Sequence, residues 1–183
     1  MGLAHGVRPF PETSMKRPLA LLLALGANAF AADAPSDAQI AHIVFTANQV
    51  DVDAGKLAER RAASADVKTF GKQMVTDHTG VNGQAAALAK KLGVTPEDNP
   101  TSRSLKEGGD RNVAHLKTLK GAAFDRAYVD HEVAYHEQVL QAIDQVLVPN
   151  AKNAELRALI VKVRPAIDAH LQHARMMQAK LGK

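Results

Sequence analysis

Apolar residues recur at spacings of three and four along four long stretches of this chain, and that rhythm restricts its fold more than any other feature. Ile40, Val44, Ala47, Asp51, Ala54 and Ala58 make the first stripe. Val67, Phe70, Met74, His78, Val81, Ala85, Leu88 and Leu92 make the second. The third is Val129, Val133, His136, Leu140, Ile143 and Leu147. The fourth is Leu156, Ile160, Val163, Ile167, His170, Ala174, Met177 and Leu181. Residues so spaced line one side of an α-helix. Composition agrees: with five Phe, two Tyr and no Trp, the chain lacks the aromatic side chains that sandwiches and base-stacking platforms rely on. The absence of Cys excludes a disulfide framework, a thiolate zinc site, a thiol nucleophile and an N-terminal lipid-anchored Cys.

The helix ends are written in short signals. Ser36-Asp37-Ala38-Gln39 fits a capping box, Ser64 is placed to cap the second helix, and Gly93 suits a left-handed C-cap. Residues 93–103, with Pro96 and Pro100, read as a loop. A weaker helix is expected over about 104–120, broken at Gly108-Gly109 and stopped by Gly121. The next runs over about 122–148, ending at Pro149-Asn150, and the last over about 153–181, kinked at Pro165. The expectation is all-α: a ferritin-like four-helix bundle with a long crossover carrying a short fifth helix. Gly55 and Gly71 are as suited to a close helix approach as to simple tolerance. Gly80 and Gly83 read as tolerated only.

The N-terminus reads as a leader. Met15-Lys16-Arg17 gives a cationic start, Leu19 to Phe30 an apolar run, and Ala29-Phe30-Ala31 a small-residue cleavage site after Ala31. The apolar run is too short to span a bilayer as a helix, so neither a transmembrane nor a lipid anchor is expected. Residues 1–14 lack periodicity, which makes Met15 a candidate start. The division is therefore 1–31 as signal peptide and 32–183 as one helical domain, destined for the periplasm or the exterior. Removing Arg8, Lys16 and Arg17 from the 23 basic residues, and Glu12 from the 19 acidic ones, leaves a net charge of +2. Its charges alternate without a block of one sign, which gives no support to a nucleic-acid partner. No protein partner is readable.

Polar residues interrupt each stripe near its middle: Asp51, His78, His136 and His170, one per long helix. An isolated buried polar group costs about 1–3 kcal/mol, so four of them should partner one another, an ion or water. One carboxylate and three imidazoles suit Zn, Fe, Cu or Mn. Counting from the turns puts Asp51 and His78 on one level, but sets His170 six residues, about 9 Å, deeper than His136. Ordinary hydrogen bonds to Asp77, Glu132, Tyr128 or Tyr135 would account for single core histidines equally well. His170 and His173 could also form a surface pair on one helix face. His42 and His115 read as surface residues. A di-iron site is disfavoured: Val75, Val133 and Ile167 stand where Glu-x-x-His needs Glu, and Asp51 is the one acid on a stripe. Met74, one turn from His78, reads as gap-filling core rather than a haem ligand.

Asn48 to Ala58, Val67 to His78 with its Met-x-x-Asp-His ending, Phe124-Asp125-Arg126-Ala127-Tyr128, and Pro165 followed by His170-Leu171 resemble the family called domain of unknown function 4142. The likeness covers about 37–180. It implies a secreted bacterial helical bundle of no established activity, with recurrent polar positions at Asp51, Asp77, His78, Asp125, Tyr128, His136 and His170. The family usually carries Glu at the position of Asp51, one methylene longer. Three readings follow. The first is a non-enzymatic exported bundle with a core metal ion. The second is a ferritin-type redox or metal-storage protein, and the third a metal-free envelope interaction module. No catalytic motif stands out.

Overall fold

All regular structure among the described residues is helical. The computed structural model describes residues 34–182, so the expected leader and its cleavage point lie outside them. Helix α1 spans Asp37–Arg61, α2 Ala65–Leu92, α3 Pro100–Thr118 and α4 Gly121–Ala142. A π-helical segment, Ile143–Leu147, carries α4 into the short α5, Val148–Asn150, and α6 spans Ala154–Leu181. No helix among the described residues is long and apolar enough to cross a membrane.

Three helices, α1, α3 and α6, begin where a side chain accepts from their free amides. Ser36 and Gln39 form the reciprocal capping box at α1. Asn153 Oδ1 accepts from the amides of Glu155 and Leu156 at α6. Gly93 closes α2 at φ 64°, a conformation that favours a residue without Cβ. Ser64 precedes α2 but its hydroxyl makes no capping bond. Instead the Asp125 carboxylate, from α4, accepts from the amides of Ala63 and Ser64 at 2.9 and 2.7 Å. At the opposite end Asp37 does the same for Lys152 and Asn153 ahead of α6, at 2.8 and 2.9 Å. Both tight turns are thus held by a carboxylate from a distant helix.

Two expectations for the crossover need correction. Helix α3 starts at Pro100 rather than near Ser104, because Asn99 caps it and proline is well suited to the first helical position, where no amide bond is lost. It also continues unbroken through Gly108 and Gly109. Gly109 is needed for packing, since a Cβ there would lie 2.7 Å from a methyl of Val50 on α1. Helix α6 keeps Pro165 inside it, within the span expected for the last helix.

Side-chain pairs fix the directions. Asn48 meets His78, and Gly55 meets Gly71, so α1 and α2 run antiparallel. Glu137 meets Arg175 and Asp144 meets Arg164, so α4 and α6 are antiparallel too. Asp77 meets His170, and Lys162 meets Gln84, which sets α2 against α6 in the same sense. Consequently α2 and α4 run in the same direction. The chain between them must return the length of a helix, which α3 does while packing on α1. At the α1–α2 crossing the backbones approach so closely that a Cβ on Gly55 would sit 2.7 Å from the Gly71 carbonyl. Gly80 and Gly83 have nothing within 4 Å of such a Cβ, as a tolerated glycine should.

Buried apolar residues divide into two clusters. One gathers Leu57, Phe70, Met74, Phe124, Val129 and Met177 among others; the second includes Ile40, Ile43, Leu140, Ile143, Ile160 and Ile167. On α1, α2 and α4 the polar stripe residues fall between the two, and on α6 His170 stands beside Leu171 at the end of the second cluster, one turn before Ala174 of the first.

Candidate metal centre

The four polar stripe residues are brought together. Asp51, His78, His136 and His170 are all at most 3% exposed. The ring centroids of the three histidines lie 5.3, 5.5 and 5.8 Å apart, and each ring offers a nitrogen within 4.8 Å of the others. Asp51 Oδ2 sits 3.5 Å from His78 Nε2, so the shorter carboxylate still reaches the group.

The six-residue offset expected for His170 is therefore wrong. The π segment and α5 prolong the helical path to Asn150 and centre the turn near residue 152. His136 is 16 residues before that point and His170 18 after it. The levels then agree to within about one helical step or two.

A fifth member escaped the sequence reading. Glu132 is fully buried on α4, and Asp51, Glu132 and His136 offer ligand atoms within 4.8 Å of one another. Asp51 is thus not the one acid of the core. Glu132 lies three residues after Val129 and four before His136, which is the third stripe's own spacing. The signal was present, in Glu-x-x-x-His rather than Glu-x-x-His.

Each imidazole is held from outside by one hydrogen bond that fixes its tautomer. Asn48 Nδ2 donates to the Val44 carbonyl at 2.8 Å, which leaves Asn48 Oδ1 to accept from His78 Nδ1 at 2.7 Å. The Glu132 carbonyl accepts from His136 Nδ1 at 3.0 Å, and Asp77 Oδ2 accepts from His170 Nε2 at 2.9 Å. The remaining nitrogens, His78 Nε2, His136 Nε2 and His170 Nδ1, are buried with no hydrogen-bond partner among the described residues. A neutral imidazole whose one nitrogen donates keeps a lone pair on the other. Ligating histidines are commonly oriented in this way by an outer acceptor.

Electrostatics point the same way. Burial, reinforced by His136 and His170, lowers the His78 pKa to about 3. Burial and His170 lower that of His136 to about 4. His170 is also lowered by burial, against the pull of Asp77. All three are neutral near pH 7. Burial, with Glu132 alongside, pushes Asp51 well up, and burial raises Glu132 to about 8. Both Glu132 oxygens lack a hydrogen-bond partner among the described residues, and the Asp51 carboxyl group lies beside them in the core. A divalent ion would neutralise exactly two carboxylates, and two acids with three imidazoles fit such an ion.

The supporting positions differ in role. Asp77 reaches the cluster through His170 while its own side chain is partly exposed. Asp125 belongs to the α1–α2 turn. Tyr128 is fully buried, its hydroxyl unpartnered among the described residues, and burial with the Glu132 and Asp51 charges raises its pKa. His173 does not pair with His170 as a surface grip; its ring meets Phe70 edge-on at 5.0 Å. His115 is exposed and His42 faces Asp98 at 4.0 Å. His131 stacks on Tyr135, and Met74 is in the apolar core.

The family model described as "Domain of unknown function (DUF4142)" matches residues 23–177, most of the chain. No curated protein and no solved structure matches it.

Proposed function

We propose that this chain, which belongs to the domain of unknown function 4142 family, holds one divalent transition-metal ion among Asp51, His78, Glu132, His136 and His170. The observation that carries this reading is the set of three imidazoles, each tethered outside and each keeping an unpartnered nitrogen in the core. Without an ion those lone pairs and two carboxyl groups would be desolvated for no return. Nitrogen and oxygen donors with no thiolate suit Fe, Mn or Zn; Cu remains compatible with the imidazoles.

The fold belongs to the same proposal. Helices α1, α2, α4 and α6 are read as a ferritin-like four-helix bundle, with α3 on its crossover. The antiparallel pairs and the same-direction α2 and α4 support that path. The leader-like segment before Ala31 supports export to the periplasm or beyond. The protein is proposed as a metal-binding bundle rather than an enzyme of defined reaction. Two acids in the core favour the ferritin-type redox or storage reading over a metal-free interaction module.

Elemental analysis of the purified protein tests this. Near-stoichiometric Fe, Mn, Zn or Cu, lost in His78→Ala and His136→Ala, is the expected result. A metal-free protein whose melting temperature ignores all four added ions would overturn it.

A further inference from the structure

Beside the cluster lies a cavity of about 40 Å³ that the proposed ion-binding role does not use. Its walls are aliphatic, with Val139, Ile143, Val163 and Ile167 on α4, the π segment and α6, and it ends on Asp51 and His78. His136, His170 and Glu132 do not line it, so it reaches the group from one side. Asn48, also in the wall, has both its amide nitrogen and its oxygen already bonded.

These walls select by chemistry and by size. An ordered water needs about two to four polar partners, and the aliphatic part of the cavity supplies none. Drug-sized ligands occupy pockets of roughly 300–1,000 Å³, far more room than here. An anion would meet the carboxyl group of Asp51 in a greasy passage. What fits is a neutral, weakly hydrated molecule of two atoms.

We infer that this cavity conducts a neutral diatomic gas of the dioxygen class to the Asp51–His78 side of the bound ion. The inference rests on the metal-binding reading, and claims binding at the ion without any reaction there. Val163, half-buried on α6, stands in the wall where a larger ring would close the passage.

The full chain is loaded with Fe(II) under anaerobic conditions and its iron content measured first. Nitric oxide, a dioxygen-like diatomic that forms a paramagnetic adduct with Fe(II), is then added and followed by stopped-flow absorbance and electron paramagnetic resonance. The wild type should form the adduct, and Val163→Phe should form it slower by about tenfold or more at equal iron content. In a parallel arm xenon, under pressure in crystals of the metal-free wild type, should occupy the cavity, and Val163→Phe should exclude it. That arm stands whether or not the variant retains iron. Iron bound with no adduct, an equal rate in both proteins, or a xenon-free wild-type cavity overturns the inference and leaves the metal reading intact. Failure to take up iron at all overturns the gas route to a bound ferrous ion, whereas the metal reading falls only when Mn, Zn and Cu fail as well.

Discussion

The two apolar clusters and the polar layer between them obey opposite rules. Phe70, Phe124 and Val129 on one side, Ile40, Ile143 and Ile160 on the other, need nothing but one another. Each such side chain contributes about 1.5–3 kcal/mol by leaving water. The layer of Asp51, His78, Glu132, His136 and His170 is equally buried, yet its free nitrogens and paired carboxyl groups oppose folding until something binds them. Val133 touches both clusters, so the layer is a patch within a continuous interior rather than a gap. The residues that favour burial and those that resist it are therefore neighbours on the same helices.

The strongest test of that division truncates a cluster side chain. Phe124→Ala should lower the unfolding free energy by about 3–5 kcal/mol, read by urea denaturation, with metal stoichiometry unchanged in the folded protein. Loss of the metal as well would show that the two regions are not separable. The converse substitution acts in the layer. Glu132→Leu should stabilise the metal-free protein by about 1–3 kcal/mol, because a desolvated acid is replaced by a side chain the interior accepts. It should weaken metal affinity by about tenfold or more, measured by competition with a chelator. A variant that is both less stable and fully metal-competent would contradict the comparison.

pH distinguishes the layer from the clusters without mutation. Glu132 is raised to about 8, so its contribution is complete below its ordinary 4.5 and is lost as pH rises towards 8. His78 and His136 are lowered to about 3 and about 4, so the unfolded chain binds more protons than the native one below 6.5. Their effect reduces stability as pH falls from 6.5 towards 3. Below 6.5 the two histidines outweigh Glu132, so the metal-free protein should be most stable near pH 6.5 and decline from 6.5 to 8. A bound ion keeps the carboxylates charged and the imidazoles neutral, and should abolish that alkaline decline. Melting curves of the two forms at pH 6.5 and 8 check this.

Much of this arrangement was legible because local rules and burial agree. The stripes placed four helices, and Ser36, Gly93 and Asn153 act at the ends where their chemistry suits. The three stripe histidines and Asp51 stood out as polar groups where apolar ones belong. Glu132 did not, although it keeps the same spacing, because a glutamate is ordinarily a surface residue and needs a reason to be inside. Asn48 was hidden for a similar reason: its importance is in bonds to Val44 and His78 that only tertiary packing creates. The level of His170 was misjudged because Pro149 was read as ending the helix, whereas helical structure continues to Asn150 and moves the centre of the turn towards α6. Ser64 was assigned a cap that its hydroxyl does not make, and the turn before α2 is held by Asp125, 61 residues away.

The smallest expected effect compares two glycines in neighbouring helices. At Gly55 an added Cβ would lie 2.7 Å from the Gly71 carbonyl, 3.2 Å from Met74 Cβ and 3.2 Å from a Val75 methyl. One of these is backbone and cannot swing aside, so Gly55→Ala should force α1 and α2 apart and cost about 1–3 kcal/mol. At Gly80 the same methyl meets nothing within 4 Å. There only the helical backbone preference changes, and Gly80→Ala should add up to about 1 kcal/mol. Opposite signs for one chemical change, both measured by urea denaturation of the metal-free protein, would show that the α1–α2 crossing limits how the clusters close around the layer. Equal signs would mean that the backbones have room to separate, and that the spacing of Asp51 and His78 is not set by that crossing.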